Sequence, residues 1–494
     1  MKIQIKILPD GRTVTAETGE KLLPVLRRAG LSPDAPCGGQ GTCGKCRVII
    51  DGQTVPACQA IVSQDMAVVT LPPQPKAEIL SDSWGTVEQA APIKQGPLLA
   101  FDIGTTTVVC YLLDGKTGEE LACASMLNPQ SAYGADVVTR IHAALRGALA
   151  DLTAVLRAGM TGLIQTVCRR VGIRPEEIAV VSVVGNPCMQ QLFLGISPKN
   201  LAAVPFSPVL TKAETRAARD CLPVCANAVL LIVPAISGYV GADTIGCVLS
   251  TRMYEAEETV LMIDIGTNGE LVLGSSRQMA ACAAAAGPAL EGANIRFGMR
   301  GAEGAIDHVW LEDGGIQCSV IGGGKAAGIC GSGLIDAAAA LLDAGLLNRR
   351  GRLLTDEMLD GQRTVRLAGE IYLTQDDIRQ LQLAKGAIAA GIELLAAQLG
   401  IGLEGIGKVL LAGAFGSYLR PESACRIGLL PPVLLGKISV AGNAAGGGAK
   451  MLACSGRELR RAQELAERIT FIELAEQPGF QRAFARNMGF DAAF

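Results

Sequence analysis

The residues best suited to chemistry are cysteines and aspartates set among glycines. Cys37, Cys43, Cys46 and Cys58 form a C-x5-C-x2-C-x11-C array. Four thiolates at this spacing can hold a 2Fe-2S cluster, and glycines 38, 39, 41 and 44 let the backbone wrap closely with its N–H groups toward sulfur. Zinc is the competing metal, but a tetrahedral zinc site typically pairs two short knuckles and only Cys43-x-x-Cys46 is one. The same loop contains Gly39-x-Gly41-x-x-Gly44, a formal match to a dinucleotide fingerprint. It is interrupted by cysteine and follows a helical stretch, whereas the fingerprint needs a strand before it and a helix after it.

The aspartates end apolar runs. In Asp102-Ile-Gly104-Thr105-Thr106-Thr107 the glycine permits a tight turn, the threonine N–H and hydroxyl groups can meet phosphate oxygens, and the aspartate can hold Mg²⁺ through water. Asp264-Ile-Gly266-Thr267-Asn268-Gly269 repeats the scheme and can grip phosphates from the opposite side. A third segment ends a strand in the small-residue turn Gly413-Ala414-Phe415-Gly416, where a flat adenine can lie close to backbone. Each turn alone is ordinary, since Asp and Gly commonly follow strands. No Walker A loop competes: Gly115-Lys116-Thr117 has its ending, but Cys110 stands where the first glycine belongs. Asp243 and Glu291 can orient a hydrolytic water or serve as capping carboxylates.

These residues must be positioned by a large folded body. The chain has 494 residues, 49% hydrophobic and 18% charged, which excludes a disordered or fibrous protein and predicts about three domains. Forty-four basic against 47 acidic side chains, with 4% aromatics, leave no footprint for nucleic acid or an anionic membrane. Two histidines, His142 and His308, are too few for imidazole-rich catalysis. The polar start and the short, Pro234-interrupted apolar stretch 229–240 predict a cytoplasmic protein. There thiols stay reduced, so the sixteen cysteines read as metal ligands plus buried small side chains, Cys330 among the latter.

Residues 1–71 read as one unit, with an alternating strand through Ile3, Ile5 and Ile7, a turn at Pro9-Asp10-Gly11, a second strand, a helix over 19–30 and two further strands, CRVII and MAVVTL. This order resembles a β-grasp. Residues 72–97 carry five prolines and read as an extended linker that lets the first domain move. From Leu98 onward, β-branched strands alternate with Ala- and Leu-rich helices, the pattern of a layered α/β fold. LLAFDIGTTTVVCYLLD at Leu98 is echoed by LMIDIGTNGELVLGS at Leu261, which predicts two similar lobes, 98–257 and 258–494. The segment 376–399 reads as an amphipathic core helix.

The cysteine spacing resembles vertebrate- and bacterial-type 2Fe-2S ferredoxins, with the last interval shortened. The three turns jointly resemble the nucleotide site of the superfamily uniting actin, sugar and acetate kinases and the seventy-kilodalton heat-shock chaperones, which implies a ribonuclease-H-like, two-lobed ATPase body. The whole chain resembles the reductive activators of corrinoid proteins. PCGGQGTCGKCRV at Pro36, NPQSAYGADVVTRI at Asn128, SGYVGAD at Ser237, AGPALEGANIRFGMRGAEGAI at Ala286, GICGSGLID at Gly328 and LAGAFGSYL at Leu411 carry that resemblance. It implies a multidomain α/β chain that transfers one electron from its cluster to a cobalt(II) corrinoid with the help of ATP and Mg²⁺, giving cobalt(I). The implied partners are a corrinoid protein of a methyltransferase system and an external low-potential electron donor, with a homodimer as one assembly it admits. No D-x-H-x-x-G corrinoid motif occurs here, so the corrinoid belongs to a partner. The rival readings are an actin-like small-molecule kinase, which leaves the cysteine domain unexplained, an activator of another low-potential metalloenzyme such as a 2-hydroxyacyl-CoA dehydratase, and a non-enzymatic assembly protein.

Overall fold

A computed structural model describes residues 1–31, 33, 35, 37–41, 44–72, 84–85, 90–266 and 268–490, with only the backbone of Ala414. In the first unit, strand β1 (Lys2–Leu8) pairs antiparallel with β2 (Thr13–Glu17). Its alternation exposes Lys2, Gln4 and Lys6 while burying Ile5 and Ile7. The helix Leu22–Arg28 lays Leu22, Leu23 and Leu26 over those isoleucines. Strands β3 (Arg47–Ile50), β4 (Gln53–Pro56) and β5 (Val68–Thr70) complete a five-stranded sheet of order β2-β1-β5-β3-β4, with β5 parallel to β1. This is the β-grasp the residue pattern predicts, with β4 added by the hairpin turn at Asp51-Gly52.

The body holds two six-stranded sheets built on one plan. In the first, β6 (Leu98–Ile103) lies antiparallel to β7 (Thr107–Leu113), which continues into β8 (Glu120–Leu127). On its other side β6 is parallel to β9 (Val180–Gly185), followed by β11 (Val229–Ile232) and the edge strand β10 (Glu214–Ala217). In the second, β12 (Thr259–Ile265) takes the place of β6, with β13 (Gly269–Gly274) and β14 (Met279–Ala284) on one side and the parallel strand Ile406–Ala412 on the other. The sequence echo is thus a structural repeat.

The helices Ala242–Thr251 and Ala444–Cys454 run between the sheets and share one apolar core with Leu98, Ala100, Val260 and Met262. They cross at glycine. A Cβ on Gly448 would stand 2.2 Å from the Gly246 carbonyl oxygen, so a side chain there would force the helices apart. The helix Gln375–Gln398 opens on a Thr374–Asp377 capping box and buries Leu381, Ile388, Ile392 and Leu395, as its periodicity predicts. The helical stretch Val137–Val171 is apolar and long enough by composition to cross a membrane, but it breaks at Gly147, and Leu152, Leu156 and Ile164 pack toward β7 and β8.

Described residues between the first unit and the body are seated on the body. Trp84 packs against the inter-sheet core, the Ala91 N–H donates to the Cys454 carbonyl at 2.7 Å, and Lys94 Nζ donates to the Asn227 carbonyl at 2.7 Å. Small residues on the receiving helix explain the fit, since a Cβ on Gly447 would fall 1.9 Å from the Trp84 carbonyl oxygen.

Candidate functional site

The two repeated strands end facing each other. Turns after β6 and β12 line a cavity of about 270 Å³ between the lobes, which takes in Asp102, Gly104, Thr105, Thr106, Asp264, Gly266 and Asn268. Gly413 and Phe415 close another wall. A Cβ on Gly413, whose φ is +80°, would stand 2.5 Å from Asp264 Oδ1, so this backbone approaches the carboxylate as only glycine allows. Gly413 and Ala414 begin the helix Gly413–Tyr418, while Gly416 packs on Leu411 behind the cavity wall. Thr267, a predicted phosphate contact, lies outside the described residues.

Strand ends and helix starts fix the polar groups. Asn128 donates from Nδ2 to the Gly104 carbonyl at 2.8 Å, and its backbone N–H donates to the Thr106 carbonyl at 2.8 Å. Asn186 caps the helix Pro187–Leu194 through Oδ1 and donates from Nδ2 to Thr105 Oγ1 at 3.1 Å. Arg140 is fully buried; it donates to the Thr105 carbonyl at 2.6 Å and the Gly134 carbonyl at 2.9 Å, bracing the first turn from behind. Thr106 Oγ1 reaches across the cleft to Glu291 Oε1 at 3.2 Å.

The floor of the cavity is acidic. Burial pushes Asp102 up to about 7, opposed by a hydrogen bond from Asn443 and reinforced by Asp264. Burial takes Asp264 to about 6. Asp243 rises to about 7, through burial first and then its neighbours Asp264 and Asp102. Glu270, across the strand pair from Asp264, is raised well above the usual carboxylate range by burial, with Asp243 and Asp264 adding to it. Four crowded carboxyls in low dielectric call for a cation.

The residue pattern brought out Asp102, Asp243, Asp264 and Glu291, and all four line this cavity. It passed over Glu270, Asn186, Asn443, Arg300, Asp307 and Ser332. A signal existed for two of them, since Asn186 and Asn443 each stand between an apolar strand and a helix. Cys330 is buried, as expected, and its neighbour Gly331 accounts for it, since a Cβ there would meet the Leu290 carbonyl at 2.0 Å.

In the first unit Cys46 and Cys58 are buried and Cys37 is half-buried; Cys43 lies outside the described residues. Glycines 38, 39, 41 and 44 all take positive φ, between +62° and +92°. A Cβ on Gly39 would stand 2.9 Å from Leu23 Cδ2, and one on Gly41 2.9 Å from Gln59 Nε2. Burial lowers the Arg27 guanidinium below its usual range, and Tyr133 with Cys46, Cys37 and Cys58 of this loop opposes that shift. That donor set and cradle fit an iron–sulfur cluster.

A ferredoxin fold joined to a two-lobed, acid-floored cleft defines a redox protein fused to an ATPase of the actin and sugar-kinase type. Comparison with known proteins makes the class specific. Residues 5–69 match the family model of the 2Fe-2S iron-sulfur cluster binding domain, residues 98–256 that of the RACo middle region, and residues 258–493 that of the C-terminal domain of RACo, the ASKHA domain. The corrinoid activation enzyme RamQ of Eubacterium limosum is 37% identical over 423 residues, covering 80% of this chain and 71% of that protein. The [Co(II) methylated amine-specific corrinoid protein] reductase of Methanosarcina barkeri is 28% identical, covering 75% and 72%. A solved reductive activator for corrinoid, iron-sulfur protein superposes over 98% of both chains, with a TM-score of 0.71 and 28% identity. The chain belongs to this family of reductive activators of corrinoid proteins.

Proposed function

We propose that this chain is an ATP-dependent reductive activator that passes one electron to an inactive cobalt(II) corrinoid protein of a methyltransferase system and restores cobalt(I). The observation that carries the reading is a glycine-cradled cysteine loop in the same chain as an acid-floored, two-lobed cleft. Cys37, Cys43, Cys46 and Cys58 hold the 2Fe-2S cluster, which, when bound, supplies the electron. An external low-potential donor recharges it. A one-electron step costs about 1.4 kcal/mol for every 59 mV uphill, and 2Fe-2S ferredoxins near about −400 mV leave little reserve for a more reducing target. Nucleotide binding supplies the remainder by favouring one conformation of the complex with the partner.

In the cleft, Asp102 and Asp264 are the residues that would hold Mg²⁺, which would supply positive charge to the phosphates. Thr105, Thr106, Asn268, Thr267 and the backbone at Gly104 and Gly266 take the phosphates, and the turn of Gly413, Ala414 and Phe415 faces the adenosine, with Gly416 supporting it from behind. Asp243, poised near neutrality, orients the hydrolytic water. Burial of the reaction among Asn186, Asn443 and Arg140 keeps the phosphate turn fixed while charge moves. The protein works in the cytoplasm.

The test is anaerobic spectroscopy of a cobalt(II) corrinoid protein mixed with the reduced chain, with and without ATP. Cobalt(I) is expected only with ATP, and Asp264→Asn should slow both phosphate release and cobalt(I) formation by about 100-fold or more. Equal cobalt(I) formation without ATP, or phosphorylation of a sugar or acid in its place, sinks the reading.

A further inference from the structure

The ferredoxin unit does not stand clear of the body. Its loop touches both lobes at the rim of the cleft. On the first lobe, Tyr133 receives the Arg27 guanidinium over its ring, 5.0 Å from the centroid. The Tyr133 carbonyl lies so close to the loop that a Cβ on Gly38 would stand 3.0 Å from its oxygen. On the second lobe, Lys45 Nζ donates to the Gly292 carbonyl at 3.2 Å and the Gly298 carbonyl at 3.4 Å.

Both footings lead directly into the nucleotide turns. Tyr133 adjoins Gly134, whose carbonyl accepts from Arg140, and Arg140 also donates to Thr105. Gly292 adjoins Glu291, which accepts from Thr106 Oγ1 across the cleft. One rigid unit therefore rests on two supports whose separation is the opening of the cleft. A nucleotide gripped by both Asp-Gly-Thr turns sets that same separation.

We infer that the rim formed by Tyr133 and the carbonyls of Gly292 and Gly298 is a docking surface for the chain's own ferredoxin unit, linked to nucleotide binding because it spans both lobes. This inference rests on nucleotide binding in the cleft. The two footings are met together at one cleft opening only, so docking favours that opening and the nucleotide favours its own. Linkage is reciprocal: whatever factor nucleotide imposes on docking, docking imposes on nucleotide affinity.

Lysine labelling of the full-length protein reads this directly. An amine-reactive acetyl ester is applied briefly, and modification of each lysine is followed by mass spectrometry. Lys45 is exposed like Lys2, Lys6 and Lys21 on the same unit, but its ammonium is held by the Gly292 and Gly298 carbonyls, so it is expected to react at least twofold more slowly than those three. A saturating non-hydrolysable ATP analogue with Mg²⁺ should change the Lys45 rate at least twofold and leave those three unchanged. Tyr133→Leu, which removes the cation–π footing, should bring Lys45 toward the rate of the other three. Lys45 reacting as fast as they do in the nucleotide-free protein, or at a rate that saturating analogue does not move, overturns the inference. Calorimetry on the same sample separates the two readings, because absence of analogue binding removes the nucleotide site itself. Should Tyr133→Leu fail to fold, the unmodified chain with and without analogue decides alone.

Discussion

Asp102, Asp243 and Asp264 are all lifted toward neutrality by burial, with Asp264 adding to the shift of Asp102 and both of these adding to that of Asp243. A carboxyl whose pKa is raised by folding binds a proton in the native state that the unfolded chain has released. Between roughly pH 4 and 7 the native state therefore carries more protons at these sites, and their contribution to stability falls as pH rises, levelling above about 7. The expected outcome is a metal-free melting temperature that declines from pH 5.5 to 7.5. Added Mg²⁺ with an ATP analogue should restore more stability at pH 7.5 than at 5.5, because the cation binds the ionised form. Differential scanning fluorimetry across that range checks both signs. A metal-free melting temperature that rises steadily with pH would show that these carboxyls are not carrying the linkage.

At the scale of elements, the lobes are held by the helices Ala242–Thr251 and Ala444–Cys454, and the contact works because glycine faces glycine. Gly448 has no room for a methyl, with the Gly246 carbonyl oxygen 2.2 Å from where a Cβ would sit, and backbone cannot yield as a side-chain tip can. Gly448→Ala should part the helices, costing about 1–3 kcal/mol by chemical denaturation, and should weaken binding of an ATP analogue by altering how the turns face each other. Unchanged affinity in a destabilised variant would show that this helix crossing does not set how the turns face each other. Legibility in the sequence divides at this scale. The strand–Asp-Gly-Thr–strand echo was readable because the side chains that do the chemistry also punctuate the strands. Helix 375–398 was readable from period alone. The helix crossing was not, since Gly246 and Gly448 are 202 residues apart and a glycine mid-helix advertises nothing about its neighbour. Glu270 was hidden for a related reason: only strand register, which pairs it with Asp264, turns an ordinary strand glutamate into part of an acidic floor. In the proline-rich stretch, Trp84 and Ala91 find specific seats on the body that no local pattern announces.

For the whole molecule, those seats decide how far the ferredoxin unit can travel. With Trp84 anchored and Leu71 ending the first unit, the tether is the 12 residues 72–83 rather than all of 72–97. Fully extended it reaches at most roughly 45 Å. A short tether keeps the electron-carrying unit at high local concentration, and that concentration falls about as the −3/2 power of tether length once the span is comfortably reached. Inserting 20 glycine and serine residues between 72 and 84 lengthens it from 12 to 32 residues, so the local concentration should drop about fourfold. Reduction of a cobalt(II) corrinoid protein, followed anaerobically with saturating ATP, should slow by up to that factor, while analogue affinity measured by calorimetry changes little. A rate that holds or rises would mean that the native tether restrains the unit more than it guides it, and that electron delivery is limited by release from the rim of the cleft rather than by the search for the partner.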